Sequence, residues 1–258
     1  MAVAPIFDLS GRTALVTVAS SGIGARFARI LAASGANVVV AARRADRLAA
    51  LCSEIESAGG RAIAVSLDVA DEASTIAAYD AAEKAFGTVD TIIANAGVNS
   101  EGLVTDIPAD EFDQTVAVNL RGVFLTVREG ARRLIAAGSA QKENGRVIIT
   151  ASITADVVSP GLGVYSATKA GVIQFGKVMA REWVRKGINV NMICPGYIKT
   201  ELTADWFESE GGAQQVAAFN RRRLMQESDL DVPLLFLSSD AARGVTGTTM
   251  TIDDGQSF

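Results

Sequence analysis

A chain of 258 residues that is 49% hydrophobic and 21% charged excludes intrinsic disorder and suffices for one large domain or two small ones. Against 24 basic side chains stand 29 acidic ones, a formal charge of −5 that excludes the electrostatic footprint of a nucleic-acid or anionic-lipid partner. Histidine is absent, so Ser-His-Asp hydrolysis, His-Cys dyads and His-based metal sites are excluded, and proton chemistry falls to Tyr, Lys, Asp, Glu, Cys or Ser.

The two cysteines, Cys52 and Cys194, lie far apart without C-x-x-C spacing, which supports neither a disulfide framework nor a zinc site. Residues 1–10 carry no cationic leader, and no run of about 18 apolar residues occurs. These features predict a soluble cytoplasmic protein with no metal and no membrane partner.

Short apolar runs rich in β-branched residues alternate with longer Ala-rich segments of helical period, the pattern of βαβ units and a parallel sheet. A strand over 13–18 enters a Gly-containing turn and a helix over 23–34 that stops at Gly35. A strand over 37–42 and a helix over 45–58, ended by Gly59-Gly60, come next. Further strands are predicted over 61–66, 89–95, 146–151, 188–194 and 248–252, with helices over 71–86, 110–136, 164–186 and 229–238. Seven strands with right-handed crossovers predict one doubly wound α/β domain over 1–258, with its ligand crevice at the carboxyl ends of the strands. Segment 195–228 resists this rhythm and is expected to be an irregular substrate lid.

The first strand runs into Thr17-Val18-Ala19-Ser20-Ser21-Gly22-Ile23-Gly24. Gly22 and Gly24 let backbone approach a pyrophosphate, and the following helix offers unpaired N–H groups and a positive dipole end. A pair of glycines before a helix also makes a plain tight turn. At the end of the second strand, where an NAD site needs an acidic group for the ribose, stand Arg43 and Arg44, suited to a 2′-phosphate. The plainer reading is a solvated helix start, although cations there oppose the dipole. Tyr165-Ser166-Ala167-Thr168-Lys169 opens a helix and stacks Tyr165 and Lys169 on one face. A phenol must fall by roughly 3 pKa units to act near neutrality, and an ammonium ~4 Å away at an effective dielectric of ~20 supplies about that before desolvation subtracts some of it.

From Gly11 to Gly255 the chain resembles the short-chain dehydrogenase/reductase family. The resemblance rests on the glycine turn, Asp68-Val69, Asn95-Ala96-Gly97, Asn119, Ser152 thirteen residues before Tyr165, the Tyr165 to Lys169 motif, and Pro195-Gly196 followed by Thr200. It implies a Rossmann-like doubly wound parallel sheet of seven strands in a single domain. It further implies that Tyr165 exchanges a proton with a carbonyl or alcohol oxygen and that Ser152 hydrogen-bonds the same oxygen. Lys169 would lower the tyrosine pKa and hold the nicotinamide ribose, and Asn119 would fix a relay water. The cofactor residues implied are Ser20, Ser21, Gly22, Ile23, Gly24, Arg43, Arg44, Asp68, Val69, Asn95, Ala96, Gly97, Tyr165, Lys169, Pro195, Gly196, Ile198 and Thr200. Asn119 bending its helix and Asn95 capping its strand remain alternatives.

The expected activity is an NADPH-dependent reduction of a ketone or β-keto ester. Alternatives are an NADP-linked dehydrogenase acting on a secondary alcohol, a 3-oxoacyl-[acyl-carrier-protein] reductase, or a catalytically weakened ligand- or partner-binding member. Tyr197, Leu202, Trp206, Phe207, Phe219 and Met225 of the lid, with Ile153 and Leu162, suit a substrate carrying a bulky apolar group. Lys142 beside Glu143, with Lys186, gives carrier-protein docking a mixed charge. The resemblance implies a homotetramer or homodimer through the two long helices, with Phe124, Val127, Ile173, Phe175 and Val178 as interface candidates. The sequence departs from the family at Val18, where the family has glycine, and more mildly at Asp254. If the backbone at 18 takes a positive φ, a β-branched residue costs on the order of 1–3 kcal/mol.

Overall fold

A computed structural model of the chain describes residues 7–201 and 203–258. In chain order come β1 (Thr13–Thr17), α1 (Gly22–Ala33), β2 (Asn37–Ala42), α2 (Ala45–Ser57), β3 (Arg61–Ser66) and α3 (Glu72–Phe86). Next are β4 (Thr91–Ala94), α4 (Ala109–Val116), a π-helical turn (Ala117–Arg121), α5 (Gly122–Ala136), α6 (Ser139–Lys142) and β5 (Gly145–Thr150). The remainder is α7 (Gly163–Trp183), β6 (Ile188–Pro195), α8 (Ala204–Glu208), α9 (Glu210–Ala218), α10 (Asp231–Ser238) and β7 (Thr249–Ile252).

All seven strands are parallel, in the order β3-β2-β1-β4-β5-β6-β7. β1, β4, β5 and β6 are buried along their whole length, which explains their unbroken apolar runs, whereas β3 at one edge alternates. One core layer joins Leu15, Val39, Ile92, Val147 and Val190 to α3, α5 and α7. The other joins Val16, Val38, Ile93, Ile148 and Ile193 to α1, α2 and α10. This is the doubly wound, Rossmann-like single domain predicted from the sequence. The chain winds from β1 to β3 on one side and then crosses to β4 on the other, so the crevice opens beyond the carboxyl ends of β1 and β4.

The opposite end of the sheet, at the amino ends of its central strands, is closed by polar groups. Arg12 pairs with Asp90 at 3.3 Å and Asp240 at 2.5 Å. The fully buried Arg146 reaches Asp240 at 3.2 Å and the Ser239 carbonyl at 3.2 Å. Asp90 is thereby spent on Arg12 and on the Thr13 N–H, so the fourth strand starts at Thr91 and not at residue 89.

Two other elements differ from expectation. The predicted helix over 110–136 is interrupted by the π turn, because Asn119 is held by groups outside its own helix. The segment over 195–228 is not irregular. It contains α8 and α9, the second capped by Ser209, whose Oγ accepts the Gly212 N–H at 3.1 Å. No helix among the described residues is long and apolar enough to cross a membrane.

Candidate active site

The turn after β1 is built around two left-handed residues, Val18 at φ 52° and Gly22 at φ 55°. Gly24 is required by contact: a Cβ there would lie 2.4 Å from the Val18 carbonyl oxygen and 2.8 Å from Asn95 Nδ2. Ser21 precedes α1 in an extended conformation and makes no side-chain cap, so the first N–H groups of α1 carry no side-chain acceptor. The Ser21 hydroxyl instead accepts from Arg44 Nη2 at 2.7 Å, and Ser20 Oγ accepts from the same nitrogen at 2.8 Å. A glycine cradle, uncapped helix N–H groups and a guanidinium beside two hydroxyls fit a dinucleotide phosphate group chemically.

Thr17 stitches the next wall. Its Oγ1 accepts the N–H groups of Asn95 at 3.0 Å and Ala96 at 3.2 Å, bringing the end of β4 against the glycine turn. Asn119 is completely buried; its Oδ1 accepts the Val98 N–H at 2.8 Å, and its Nδ2 donates to the Val98 carbonyl at 3.0 Å and to Thr168 Oγ1 at 3.2 Å. The Asn119 side chain therefore holds the segment after β4 in place. Of its hydrogen-bonding capacity only a second lone pair on Oδ1 remains.

Ser152 follows β5 and caps a short 3₁₀ turn, its Oγ accepting from the Thr154 N–H at 3.2 Å and the Thr154 hydroxyl at 3.0 Å. The Ser152 hydrogen is left free to donate. Tyr165 lies in the first turn of α7 and Lys169 one turn later, with Nζ 5.5 Å from the Tyr165 ring centroid. Lys169 is 2% exposed and donates to the Thr150 carbonyl at 2.9 Å.

Burial corrects the expected sign of the tyrosine shift. The Tyr165 hydroxyl is pushed up to about 12, mainly by desolvation, with the Ser152 hydroxyl offsetting part of the rise. Burial also pulls Lys169 down to about 8. In the ground state the desolvation of the phenol, and of the lysine itself, outweighs what the ammonium contributes. The pair can instead hold a neutral phenol beside a cation that is lost above about pH 8.

Ser21, Gly22, Ile23, Gly24, Arg44, Asn95, Gly97, Ser152, Tyr165, Lys169, Pro195, Gly196, Ile198 and Thr200 line one cleft of about 970 Å³. Val18 lines it too. The other sequence-predicted residues stand outside that lining. Ser20 braces Arg44. Arg43 is exposed outside the cleft, Val69 packs in the core against Gly122, and Ala96 is buried with its N–H on Thr17. Asp68 is exposed and accepts the Ala70 N–H at 3.0 Å, a turn-closing contact. Asn119 lies behind the wall as described.

The lid contributes an aromatic group. Tyr197 stacks on Phe219 at 5.6 Å and meets the edge of Phe207 at 5.8 Å, and Trp206 closes the outer side. Leu162 also lines the cleft, whereas Met225 and Ile153 belong to the core; Leu202 lies outside the described residues. Two polar residues escaped the sequence reading. Arg47 donates to Glu201 Oε1 at 2.5 Å, and Arg44 Nη1 reaches Glu201 Oε2 at 3.2 Å. The i, i+3 spacing of Arg44 and Arg47 was the available signal for the first; nothing local signals the second.

Comparison with known proteins matches residues 12–211 to the family of short chain dehydrogenases. Oxidoreductase UcpA of Salmonella typhimurium is 32% identical over 258 residues, covering 97% of this chain and 96% of that protein. The 3-oxoacyl-[acyl-carrier-protein] reductase FabG of Staphylococcus aureus is 33% identical over 245 residues, covering 95% and 97%. A solved short chain dehydrogenase from Burkholderia cenocepacia, in complex with NADP, is 34% identical and superposes with a TM-score of 0.88 over 96% of this chain and 98% of its own. With glycine turn, strand order and Tyr-Lys helix in one cleft, and with these relatives matched along nearly the full length, this chain belongs to the short chain dehydrogenase family of oxidoreductases.

Proposed function

We propose that the protein is an NADP(H)-dependent reductase that converts a ketone or β-keto ester carrying a bulky apolar group into a secondary alcohol. One observation carries this reading: the glycine turn with Arg44 and the group Ser152, Tyr165 and Lys169 line a single continuous cleft. A bound reduced nicotinamide supplies the hydride. The other roles belong to residues of the chain.

Tyr165, neutral at physiological pH, donates its hydroxyl proton to the carbonyl oxygen. Ser152, with its hydrogen free, donates to the same oxygen and stabilises the charge that builds there. The phenolate left on Tyr165 is stabilised by the Lys169 ammonium, whose Nζ lies 5.5 Å from the ring centroid. Lys169 also faces the nicotinamide ribose. Asn119 positions the segment after β4, and its remaining Oδ1 lone pair holds the relay water.

Arg44, with Ser20 and Ser21, reads the 2′-phosphate, and Arg43 adds charge from outside the cleft. Ile198 and Thr200, which line the cleft, would hold the carboxamide end, and Asp68 and Val69, outside that lining, would lie toward the adenine end. Tyr197, Phe207, Phe219 and Trp206 on segment 195–228 enclose the substrate's apolar group. The same reading places the protein in the cytoplasm as a homotetramer or homodimer built on α5 and α7. There Phe124 stacks on Phe175 at 5.8 Å and Val178 is 42% exposed, whereas Val127 and Ile173 are core residues.

Consumption of NADPH and NADH against a panel of aryl-alkyl ketones and β-keto esters tests the reading. NADPH is expected to support turnover with kcat/KM at least about tenfold above NADH, a difference of about 1.4 kcal/mol. Preference for NADH, or turnover only with polyols in the oxidative direction, contradicts it.

A further inference from the structure

We infer that Glu201 sets the cofactor preference by acting as an internal anion on Arg44, which reads the 2′-phosphate, and on its neighbour Arg47. The inference rests on the NADP reading and extends it to a residue outside that reading. Arg44 and Arg47 converge on one carboxylate, at 3.2 Å and 2.5 Å, while Arg44 also grips Ser20 and Ser21. Two guanidiniums on one carboxylate, one of them braced by two hydroxyls, form an anion site that a side chain of the chain itself already fills. Its carboxyl is held below the usual range, first by Arg47 and then by Arg44, so the negative charge is permanent near neutrality.

Glu201 reaches this site from the segment after β6. Thr200, its neighbour, lines the cleft and stands 3.6 Å from where a Cβ on Gly22 would be. Thr203 fixes that segment, its Oγ1 accepting the Thr200 N–H at 3.0 Å and donating to the Ile198 carbonyl at 2.8 Å. A 2′-phosphate seated on Arg44 meets Glu201 as a like charge and must displace it from the arginines or share them. A 2′-hydroxyl carries no such conflict, and a carboxylate is a good acceptor for it. Glu201 thus weakens NADP(H) selectively and narrows the gap to NAD(H).

The test is calorimetric titration of wild type and Glu201→Gln with 2′,5′-ADP (adenosine 2′,5′-bisphosphate) and 5′-AMP, which differ only in the 2′-phosphate and require no turnover. Glu201→Gln is expected to tighten 2′,5′-ADP about tenfold, or about 1.4 kcal/mol, and to leave 5′-AMP unchanged or weaker. Adding Arg47→Ala to that variant should abolish the gain. Equal shifts for both nucleotides, or weaker binding of 2′,5′-ADP because Glu201 was holding the arginines in place, overturns the inference. Wild-type preference for 5′-AMP contradicts the NADP reading instead, and the part of Glu201 is still read from the selective gain of its variant.

Discussion

Tyr165→Phe lowers kcat for ketone reduction by about 10³-fold, within the range for losing a positioned general acid, while NADPH binding changes by less than about tenfold. The substitution removes one hydroxyl from a side chain whose ring already packs beside Lys169, so the cleft keeps its shape. Stopped-flow measurement of hydride transfer and NADPH titration separate the two effects. A rate within about tenfold of wild type removes Tyr165 as proton donor. The pH profile carries the second half of the argument. Because Lys169 titrates at about 8, its ammonium is present below that pH and lost above it, so reduction declines as pH rises through about 8. The phenol, pushed up to about 12, stays protonated throughout that interval and is not the group that titrates.

Val18→Gly both stabilises the protein and tightens NADPH binding. Val18 sits at φ 52°, a left-handed conformation that costs a β-branched residue on the order of 1–3 kcal/mol. Relaxation is blocked because the Val18 carbonyl packs against Gly24, where even a methyl group would come within 2.4 Å. Glycine adopts the conformation freely but gives back roughly 0.5–1 kcal/mol through the flexibility of the unfolded chain. The net stabilisation expected is about 1 kcal/mol, which chemical denaturation can resolve. Val18 also lines the cleft beside Ser21 and Gly22, and trimming its methyl groups should tighten NADPH about tenfold. Equal or weaker NADPH affinity in the glycine form contradicts the crowding argument.

The departure at Val18 was legible in the sequence, and the sign of its φ was not, since a single side chain does not reveal whether the turn bends around it. The glycine turn, the alternation of strands and helices, and the Tyr165 to Lys169 spacing were legible because each is a local pattern. What stayed hidden depends on tertiary contact. A bend at Asn119 was among the readings the sequence offered, but the partners that claim its amide, Val98 and Thr168, were not. Glu201 reaches Arg44 and Arg47 across more than 150 residues. That desolvation opposes the lysine's effect on Tyr165 was legible, but its size was not, because charge spacing along a helix is visible in a sequence and depth of burial is not. Asp68 turned out to close its own turn outside the cleft lining, which its position after β3 did not foretell.

The central claim is that Tyr165 protonates a carbonyl oxygen in the same cleft that binds the dinucleotide. Its most direct test follows deuterium from the transferable position of labelled NADPH into the product, by mass spectrometry, in wild type and Tyr165→Phe. The account predicts one deuterium on the carbinol carbon of the wild-type product and a rate about 10³-fold lower in the variant. Tight NADPH binding with no label in any product of the ketone panel, or undiminished transfer in the variant, would contradict it.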